Sequence, residues 1–312
     1  MNYRKTIPPF LTLFAIIQFG FSQTNHQTFI AQKGDGIVSI LWREGLQVDK
    51  YYQEFLKLNR GLIVDGSYLE RGKTYKIPNS ESSFRNMGRK INLNNLEDHP
   101  IFNTTEVRLK KRDTLLKNTV YFLLIDNFDP ENLQLQKANS KNNYDLAAAI
   151  AAKLLEHGSR VFLFENNEDD STSLGDYVAA INRQYLKHQE DYQRLLVVDV
   201  GNGNLSTSSS VYIGHDLKSS EGAHFAKSIT KTFKAKKFRL NAKQNESTFL
   251  ADKTNSYLVN NVLPALTFVK VENQNKKIHS NTITVTNKTK FVNVLTTGIQ
   301  IDYSTIAMED KK

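Results

Sequence analysis

The sequence predicts an α/β protein whose larger part is built on a mostly parallel, buried sheet. Residues 195–200 (LLVVDV) form an apolar run of the kind that fills a strand buried on both faces. Residues 119–126 and 160–165 are two similar runs, and a helical pattern, residues 144–157, stands between them. This spacing predicts a strand–helix–strand unit with a right-handed crossover. Strands and helices continue to alternate as far as residue 306, as expected for an α/β domain.

The first 22 residues have the composition of a secretion signal. Arg4 and Lys5 precede an apolar run, residues 10–21, that is too short to span a bilayer comfortably. We therefore expect cleavage after Ser22 and an exported chain, periplasmic or extracellular. The alternative is a buried N-terminal helix. The sequence shows no other apolar run near the ~20 residues of a membrane span, and its lack of cysteine excludes disulfides and lipid attachment at a cysteine.

The charge balance is moderately basic. The chain has a net charge of +9 at pH 7, and removal of the two cations Arg4 and Lys5 with the signal segment lowers it to +7. Such an excess suits contact with an anionic polymer, although ordinary solubility explains it equally well. An exported protein seldom meets nucleic acid, so we expect no nucleic-acid partner. The mature chain of about 290 residues suggests two domains.

Residues 28–78 predict a small unit of two strands and two helices in the order β-α-α-β. A short strand leads into a tight turn, Lys33–Gly36, that carries an acidic N-cap candidate. The first helix ends at Gly45 as a C′ glycine, and the second runs from Val48 to Asn59 with one apolar face. Residues 69–78 then indicate a turn followed by a closing strand.

This small unit resembles a LysM domain along its whole length. The resemblance rests on Lys33-Gly34-Asp35, the Ile40 helix, Gly45, Leu56-Lys57-Leu58-Asn59 and the exit from Gly72 to Ile77-Pro78. It implies binding of glycans that contain N-acetylglucosamine, such as peptidoglycan, in a groove between the loop after the first strand and the loop after the second helix. Small residues there let backbone amides approach an N-acetyl group, and an apolar side chain can cover its methyl.

Carried over to this sequence, the resemblance implies eight groove residues. They are Gly34, Asp35, Gly36, Ile37, Asn59, Arg60, Gly61 and Leu62. Gly36 departs from the family, which usually has a hydroxyl residue at that position. The alternative is that the glycine-rich segment is only a turn and Asn59 only a helix stop.

Residues 79–117 have mixed polar composition and no sustained period, so they predict a loose linker. At most one short element is expected, near residues 101–109. A flexible linker of this length would let the first domain hold a polymer while the second samples it. His99 lies in this stretch, and we interpret it as a surface histidine.

The second domain, residues 118–306, adds further strands and helices to the unit described first. The predicted strands are 119–126, 160–165, 195–200, 211–214 and one after Pro264, and the predicted helices are 144–157, 174–191, 219–233 and 291–303. In open α/β sheets, ligands bind at the carboxyl ends of the strands. The strand 195–200 ends there in Gly201-Asn202-Gly203-Asn204, which offers no base, nucleophile or good metal ligand.

This second domain resembles the zinc-dependent N-acetylmuramoyl-L-alanine amidases of cell-wall autolysins. The matching pieces are Leu154-Leu155-Glu156-His157-Gly158 with the strand after it, Val211-Tyr212-Ile213 with the helix after it, Leu263-Pro264-Ala265, and Gly298-Ile299. The resemblance implies an amidase-like fold. A LysM domain joined to such an amidase is a familiar pairing, so the two resemblances support each other.

The zinc ligands that this family uses do not fall on suitable residues. The family's first strand ends in an Asp-Pro-Gly-His turn, and Asp129 stands at its histidine position. The family's Glu ligand, just before the first helix, falls at about Ser140, its second His at Gly201 and its catalytic Glu at about Val269. Hydrolytic zinc needs three good protein ligands, an open water site and a nearby base. The sequence therefore predicts no metal and no cofactor.

Other residues offer a displaced metal site as an alternative. The domain contains His157, His188, His215, His224 and His279. His215-Asp216 follows a strand and is the plausible replacement ligand, in combination with Asp129 or Glu272. Glu272 is also a register alternative for the catalytic acid, with a surface acid as the plainer interpretation.

A cluster of cations follows in the helix at 219–233 and just after it. Its members are Lys227, Lys231, Lys234, Lys236, Lys237 and Arg239. They could contact anionic stem peptides of the cell wall, or they could form an ordinary solvated helix face.

These observations predict an exported protein that binds peptidoglycan or another N-acetylglucosamine-containing glycan. Its amidase-like domain is expected to have lost the zinc site and to act in recognition or in the regulation of hydrolysis, with a cell-wall hydrolase as partner. One alternative is an active N-acetylmuramoyl-L-alanine amidase with a displaced zinc site. Another is a structural or adhesive envelope protein that no longer binds glycan.

Overall fold

The computed structural model describes residues 26–63, 68–93, 97–102, 109–125, 133–165, 173–200, 209–240, 250, 252–273 and 285–309. The predicted signal segment lies outside these residues. The first elements of the described chain are β1 (Thr28–Ile30), α1 (Ile37–Arg43), α2 (Val48–Leu58) and β2 (Thr74–Lys76), in the predicted order β-α-α-β. β1 and β2 pair antiparallel, and Tyr75 stacks with both Phe29 and Phe55 in a small core of their own.

The stretch predicted to be a loose linker contributes strands to the large sheet. It contains α3 (Phe84–Met87), β3 (Gly88–Asn92) and β4 (Asp98–Pro100), and β3 pairs parallel with a central strand. The linker prediction for 79–117 is therefore wrong over these residues. A five-residue strand near the sheet edge buries few side chains, chiefly Ile91, so its sequence shows too little alternation to be recognised.

The large sheet has eight strands, and most of its neighbouring strands run parallel, as predicted. Its remaining elements are β5 (Thr119–Ile125), α4 (Leu133–Glu156), β6 (Arg160–Glu165), α5 (Leu174–Lys187), β7 (Tyr192–Asp199), β8 (Ser209–His215), α6 (Ser220–Ala235), β9 (Arg239–Leu240), α7 (Lys253–Asn261), β10 (Ala265–Asn273) and α8 (Val285–Glu309). The strand order is β4-β3-β6-β5-β7-β10-β8-β9. β8 runs antiparallel to β10, and β4 antiparallel to β3.

Helices cover the sheet on both faces, and alternate residues of each central strand enter opposite cores. Leu123 and Leu196 pack with α4, α6 and α8 on one face. Phe122 and Leu195 pack with α5 and α7 on the other. Burial on both faces explains why these strands read as continuous apolar runs in the sequence.

Helix α4 begins at Leu133, eleven residues before the predicted start at Tyr144. The added turns, LQLQKANSKNN, lack an apolar period, so periodicity did not reveal them. Their Leu, Gln, Lys and Ala residues nevertheless favour a helix. Within the described part of the chain, no helix combines the length and apolar character needed to cross a membrane.

The small β-α-α-β unit is attached to the large sheet through Glu44, at the end of α1. The Glu44 carbonyl accepts a hydrogen bond from the Phe84 amide at 2.8 Å, and its carboxylate accepts one from Ser83 Oγ at 3.1 Å. Arg85 Nε lies 3.9 Å from the same carboxylate. Glu44 is 1% exposed, and this burial raises its pKa despite the opposing effects of Arg85, Ser83 and Arg43. The unit is therefore attached through a buried carboxyl group and its hydrogen bonds rather than tethered by a free linker.

Helices α6 and α8 cross closely at Gly298. A Cβ at Gly298 would lie 2.6 Å from Thr232 Oγ1 and 2.8 Å from Ile229 Cα. Since the second atom belongs to the backbone, no rotamer change relieves the contact.

We expect Gly298→Ala to destabilise the protein by about 1–3 kcal/mol, because the methyl group forces the two helices apart. The matched control is Gly175→Ala in α5, where the nearest atoms to the new Cβ lie at 3.4 and 3.5 Å. There the better helix propensity of alanine should leave stability equal or raised by up to about 1 kcal/mol. Urea unfolding of both variants measures the difference, and equal losses would contradict the close approach.

Glu44→Gln should alter how stability depends on pH. Because the folded-state pKa of Glu44 lies above its ordinary value, the folded state binds more protons than the unfolded state between the two values. The contribution of Glu44 to the free energy of unfolding is thus fully present at low pH, and it is lost as the pH rises through the raised pKa. We expect the Tm of the variant relative to wild type to increase between about pH 4 and pH 7. An unchanging difference in Tm between Glu44→Gln and wild type across this pH range would refute the assignment.

Candidate functional site

The carboxyl ends of β5, β7 and β10 meet at one edge of the sheet, where the sequence places a ligand. Asp199 of β7 stands opposite Lys270 of β10, and Asp199 Oδ2 lies 3.2 Å from Lys270 Nζ. An ammonium at this distance neutralises the carboxylate and opposes a divalent cation beside it. The described part of this edge therefore presents an ion pair.

The positions at which the amidase resemblance places zinc chemistry do not assemble a metal site from the described residues. Val269 is fully buried in β10, between Val198 and Ile213 of the neighbouring strands. Ser140 lies within α4 rather than ahead of it. Gly201 and Asp129 fall outside the described residues. An apolar side chain enclosed in the sheet offers neither a base nor a ligand.

The direction of β8 separates His215 from Glu272, the pair predicted as a replacement site. His215 is opposite Thr267 at the start of β10, whereas Glu272 is opposite Ser210 near its end. Five residues of strand separate the two positions, or about 17 Å at ~3.3 Å per residue. The prediction that these two residues share a metal is therefore wrong.

His157, His188 and His224 lie on the amino side of the sheet, like His215. His157 follows α4 and has Nδ1 2.9 Å from Asp113. His188 follows α5 and lies 3.5 Å from Asp191, and burial lowers its pKa. His224 is in the second turn of α6, and His279 falls outside the described residues. Among the residues that the structure describes, no three His, Asp or Glu side chains group as a metal site. They do not fit the zinc of the resembling family.

A buried polar network occupies the amino edge instead, around Asp302 of α8, which is fully buried. Tyr192 donates its hydroxyl hydrogen bond to Asp302, and His224 Nδ1 lies 2.6 Å from the same carboxylate. Arg194 Nε is 3.6 Å from Asp302, while Arg194 Nη1 donates to Glu221 at 2.7 Å. Burial raises the pKa of Tyr192, so its hydroxyl remains a donor at neutral pH. The network joins β7, α6 and α8.

A cavity of about 700 Å³ opens beside this network. Tyr192, Arg194 and Glu221 line its polar side, and Leu263 and Ile306 contribute to its apolar side. This region was not predicted from the sequence. The available signals were Asp302 three residues after Ile299 on the buried face of a helix, and Arg194 directly before an apolar strand.

The predicted glycan groove divides into exposed and buried residues. Gly34 and Gly61 have positive φ angles of 87° and 93°, and no atom lies within 4 Å of a Cβ built on either. Arg60 and Leu62 are also exposed. Gly36 forms a β-bridge with Tyr68, which is 71% exposed and belongs to the loop that follows α2. The bridge brings the two predicted loops together.

Three predicted groove residues have structural roles. Asn59 is 1% exposed: its Nδ2 donates to Phe55 and Lys76 carbonyls, and its Oδ1 accepts from the Lys76 amide. Its side chain ties α2 to β2 and is not available to a ligand. Ile37 is buried in the small core, and Asp35 accepts from the Gln32 amide and Arg43. The exposed surface of the groove is therefore carried by Gly34, Gly36, Arg60, Gly61 and Leu62.

We expect Asp302→Asn to destabilise the protein by about 3–5 kcal/mol, because it leaves the buried Arg194 without its internal counter-charge. Glu221→Gln provides the control, since Glu221 pairs with the same arginine but its side chain is 66% exposed. Removing this exposed charge should cost about 1 kcal/mol or less. Urea unfolding at neutral pH compares the two, and similar losses would show that Asp302 does not hold the network.

No protein-family model matches the chain, and no curated protein matches it significantly. Nine solved chains are similar in structure. One is an N-acetylmuramyl-L-alanine amidase from Mycobacterium abscessus in its apo form, at 9% identity, with 59% of this chain and 97% of that chain covered and a TM-score of 0.39.

Two further solved structures show the same degree of similarity. The catalytic domain of the N-acetylmuramoyl-L-alanine amidase CwlV from Bacillus (Paenibacillus) polymyxa var. colistinus is 12% identical, with 57% and 96% covered and a TM-score of 0.38. A metallo-carboxypeptidase from Burkholderia cenocepacia is 12% identical, with 61% and 58% covered and a TM-score of 0.35. At these TM-scores the likeness carries no conclusion about chemistry.

Proposed function

We propose that this protein is exported and binds peptidoglycan through residues 28–78, and that its larger domain is amidase-like but does not hydrolyse the polymer. The observation that carries the proposal is Val269, an enclosed apolar side chain at the position where the resembling amidases have their catalytic acid. A hydrolase of that class needs a base at this point to activate the zinc-bound water.

The carboxyl edge supports the same conclusion. Lys270, next to Val269, places its ammonium against Asp199, so a positive charge occupies part of the region that a metal cation would need. His157, His188, His215 and His224 lie at the opposite edge, where His224, for example, contacts Asp302. We propose that the domain works without a cofactor.

Binding is supported by the exposed part of the small unit. Gly34 and Gly61 leave open space over their backbones, and the Gly36–Tyr68 bridge holds the two loops side by side. Such a surface lets peptide groups approach an N-acetyl group while Leu62 covers its methyl. The proposed role is recognition at the wall, or regulation of a separate hydrolase that the protein holds there.

We expect Leu62→Asp to weaken retention on purified peptidoglycan sacculi by about tenfold, because burial of an apolar side chain against the acetyl methyl is worth about 1.5 kcal/mol or more. Leu217→Asp is the matched control, since it introduces the same charge at another exposed leucine, in the large domain. Sedimentation with sacculi measures both. Equal retention of wild type and Leu62→Asp would contradict the groove.

A separate measurement tests the loss of hydrolysis. The purified full chain should contain no stoichiometric zinc and should release no stem peptide from sacculi, with or without added zinc. Stoichiometric metal together with peptide release would establish the alternative, an active amidase with a displaced site.

A further inference from the structure

We propose that the basic cluster at the end of α6 and in β9 is a second contact site for the same polymer, and that it binds the carboxylates of the stem peptides. The proposal rests on the proposed function, since it assigns a further surface to peptidoglycan binding. The cluster comprises Lys227, Lys231, Lys234, Lys236, Lys237 and Arg239.

The topology places one end of this cluster at the carboxyl edge of the sheet. Because β8 runs antiparallel to β10, α6 starts at the amino edge, where Thr267 hydrogen-bonds to the Gly222 carbonyl. The helix then runs back towards the other edge. Arg239 of β9 is opposite Ser210, which is itself opposite Glu272 near the end of β10. The cations therefore approach the edge at which α/β sheets bind ligands.

The local charge is strongly unbalanced. Residues 220–240 contain six cations and one carboxylate, Glu221, which pairs with Arg194 at the far end of the helix. All six cations are exposed, and none of them forms an ion pair with a residue that the structure describes. By contrast, Lys153 in the last turn of α4 and Arg112 in the segment before β5 both pair with Glu156. Unbalanced charge on one surface favours an anionic partner.

The spacing of the cations suits a chain of separate carboxylates. Lys227, Lys231 and Lys234 follow one another at four and three residues, so they lie on one face of α6 about 5–6 Å apart. Lys290 of α8 extends this surface, with its ammonium 5.2 Å from the centre of the Phe238 ring. Each exposed ion pair between a lysine and a carboxylate is worth about 0–1 kcal/mol. The site therefore gains affinity from the number of such pairs and from binding the same polymer as the groove does.

The test replaces three cations and compares a control with the same change of charge. K227Q/K231Q/K234Q removes the α6 face, and R183Q/K187Q/K253Q removes three exposed cations from the opposite helical layer. We expect the first variant to lose about tenfold of its affinity for intact sacculi at low salt, with a flatter salt dependence, and the control to retain wild-type affinity. Equal losses, or none, would overturn the proposal.

Two further arms distinguish this proposal from the proposed function. On glycan strands stripped of stem peptides, K227Q/K231Q/K234Q should bind as well as wild type, while Leu62→Asp remains weak. A free stem tetrapeptide should bind the wild type and not the α6 variant, and this titration stands even if the groove proposal fails. If the tetrapeptide does not bind, and the α6 variant instead loses affinity for duplex DNA alone, the surface is a general polyanion site and the assignment to stem peptides is wrong.

Discussion

The direction of β8 decides which side chains meet at each edge of the large sheet. β8 is antiparallel to β10, whereas β3, β6, β5, β7 and β10 run parallel to one another. This one reversal carries His215 away from the carboxyl edge and brings the end of α6 towards it. As a result, His215 lies at the amino edge, whereas the end of α6 and Arg239 approach the carboxyl edge. The same reversal of β8 therefore separates His215 from Glu272 and positions the proposed basic site.

The buried network around Asp302 holds helix α8 to the large sheet in a chain that has no disulfides. With no cysteine available for disulfides, the C-terminal helix depends on packing and on its polar contacts. Asp302 receives Tyr192 from β7 and His224 from α6, so one carboxylate joins three elements. A buried charge is costly unless it is paired, and this one has a cation and two further partners. The close approach at Gly298, one turn away, depends on the same alignment of α6 and α8.

Much of the architecture was accessible from the sequence because burial on both faces leaves a strong signal. The central residues of β5, β6 and β7 are continuously apolar, and the predicted bounds of these strands agree with the structure to within about three residues. Strand β3 and the edge strand β4 were missed because they are short and bury few side chains, and all three residues of β4 are exposed. Strand direction was not predictable for β8, since nothing in Val211–Gly214 distinguishes parallel from antiparallel pairing.

The candidate sites show the same division between local and long-range information. Two glycines were predicted from local sequence, Gly34 in a tight turn and Gly45 as a C′ glycine, and both adopt positive φ. The structural role of Asn59 was not predicted, because its hydrogen-bond partner Lys76 lies seventeen residues away in the sequence. Asp302 was missed for a similar reason: Tyr192 and Arg194 are more than a hundred positions earlier in the chain, and only the fold brings them together.

The attachment of the small unit to the large sheet limits which ligands can contact the proposed groove and the proposed basic site at the same time. Glu44 anchors that unit beside α3 and the start of β3, while the basic cluster extends to β9 at the other end of the sheet. Six strand spacings separate β3 from β9, on the order of 29 Å at about 4.8 Å each. A flexible linker would have allowed the proposed groove and the basic cluster to bind one small ligand together, whereas the attachment at Glu44 does not. Simultaneous engagement therefore requires a ligand long enough to reach both surfaces, which selects a polymer over a soluble fragment.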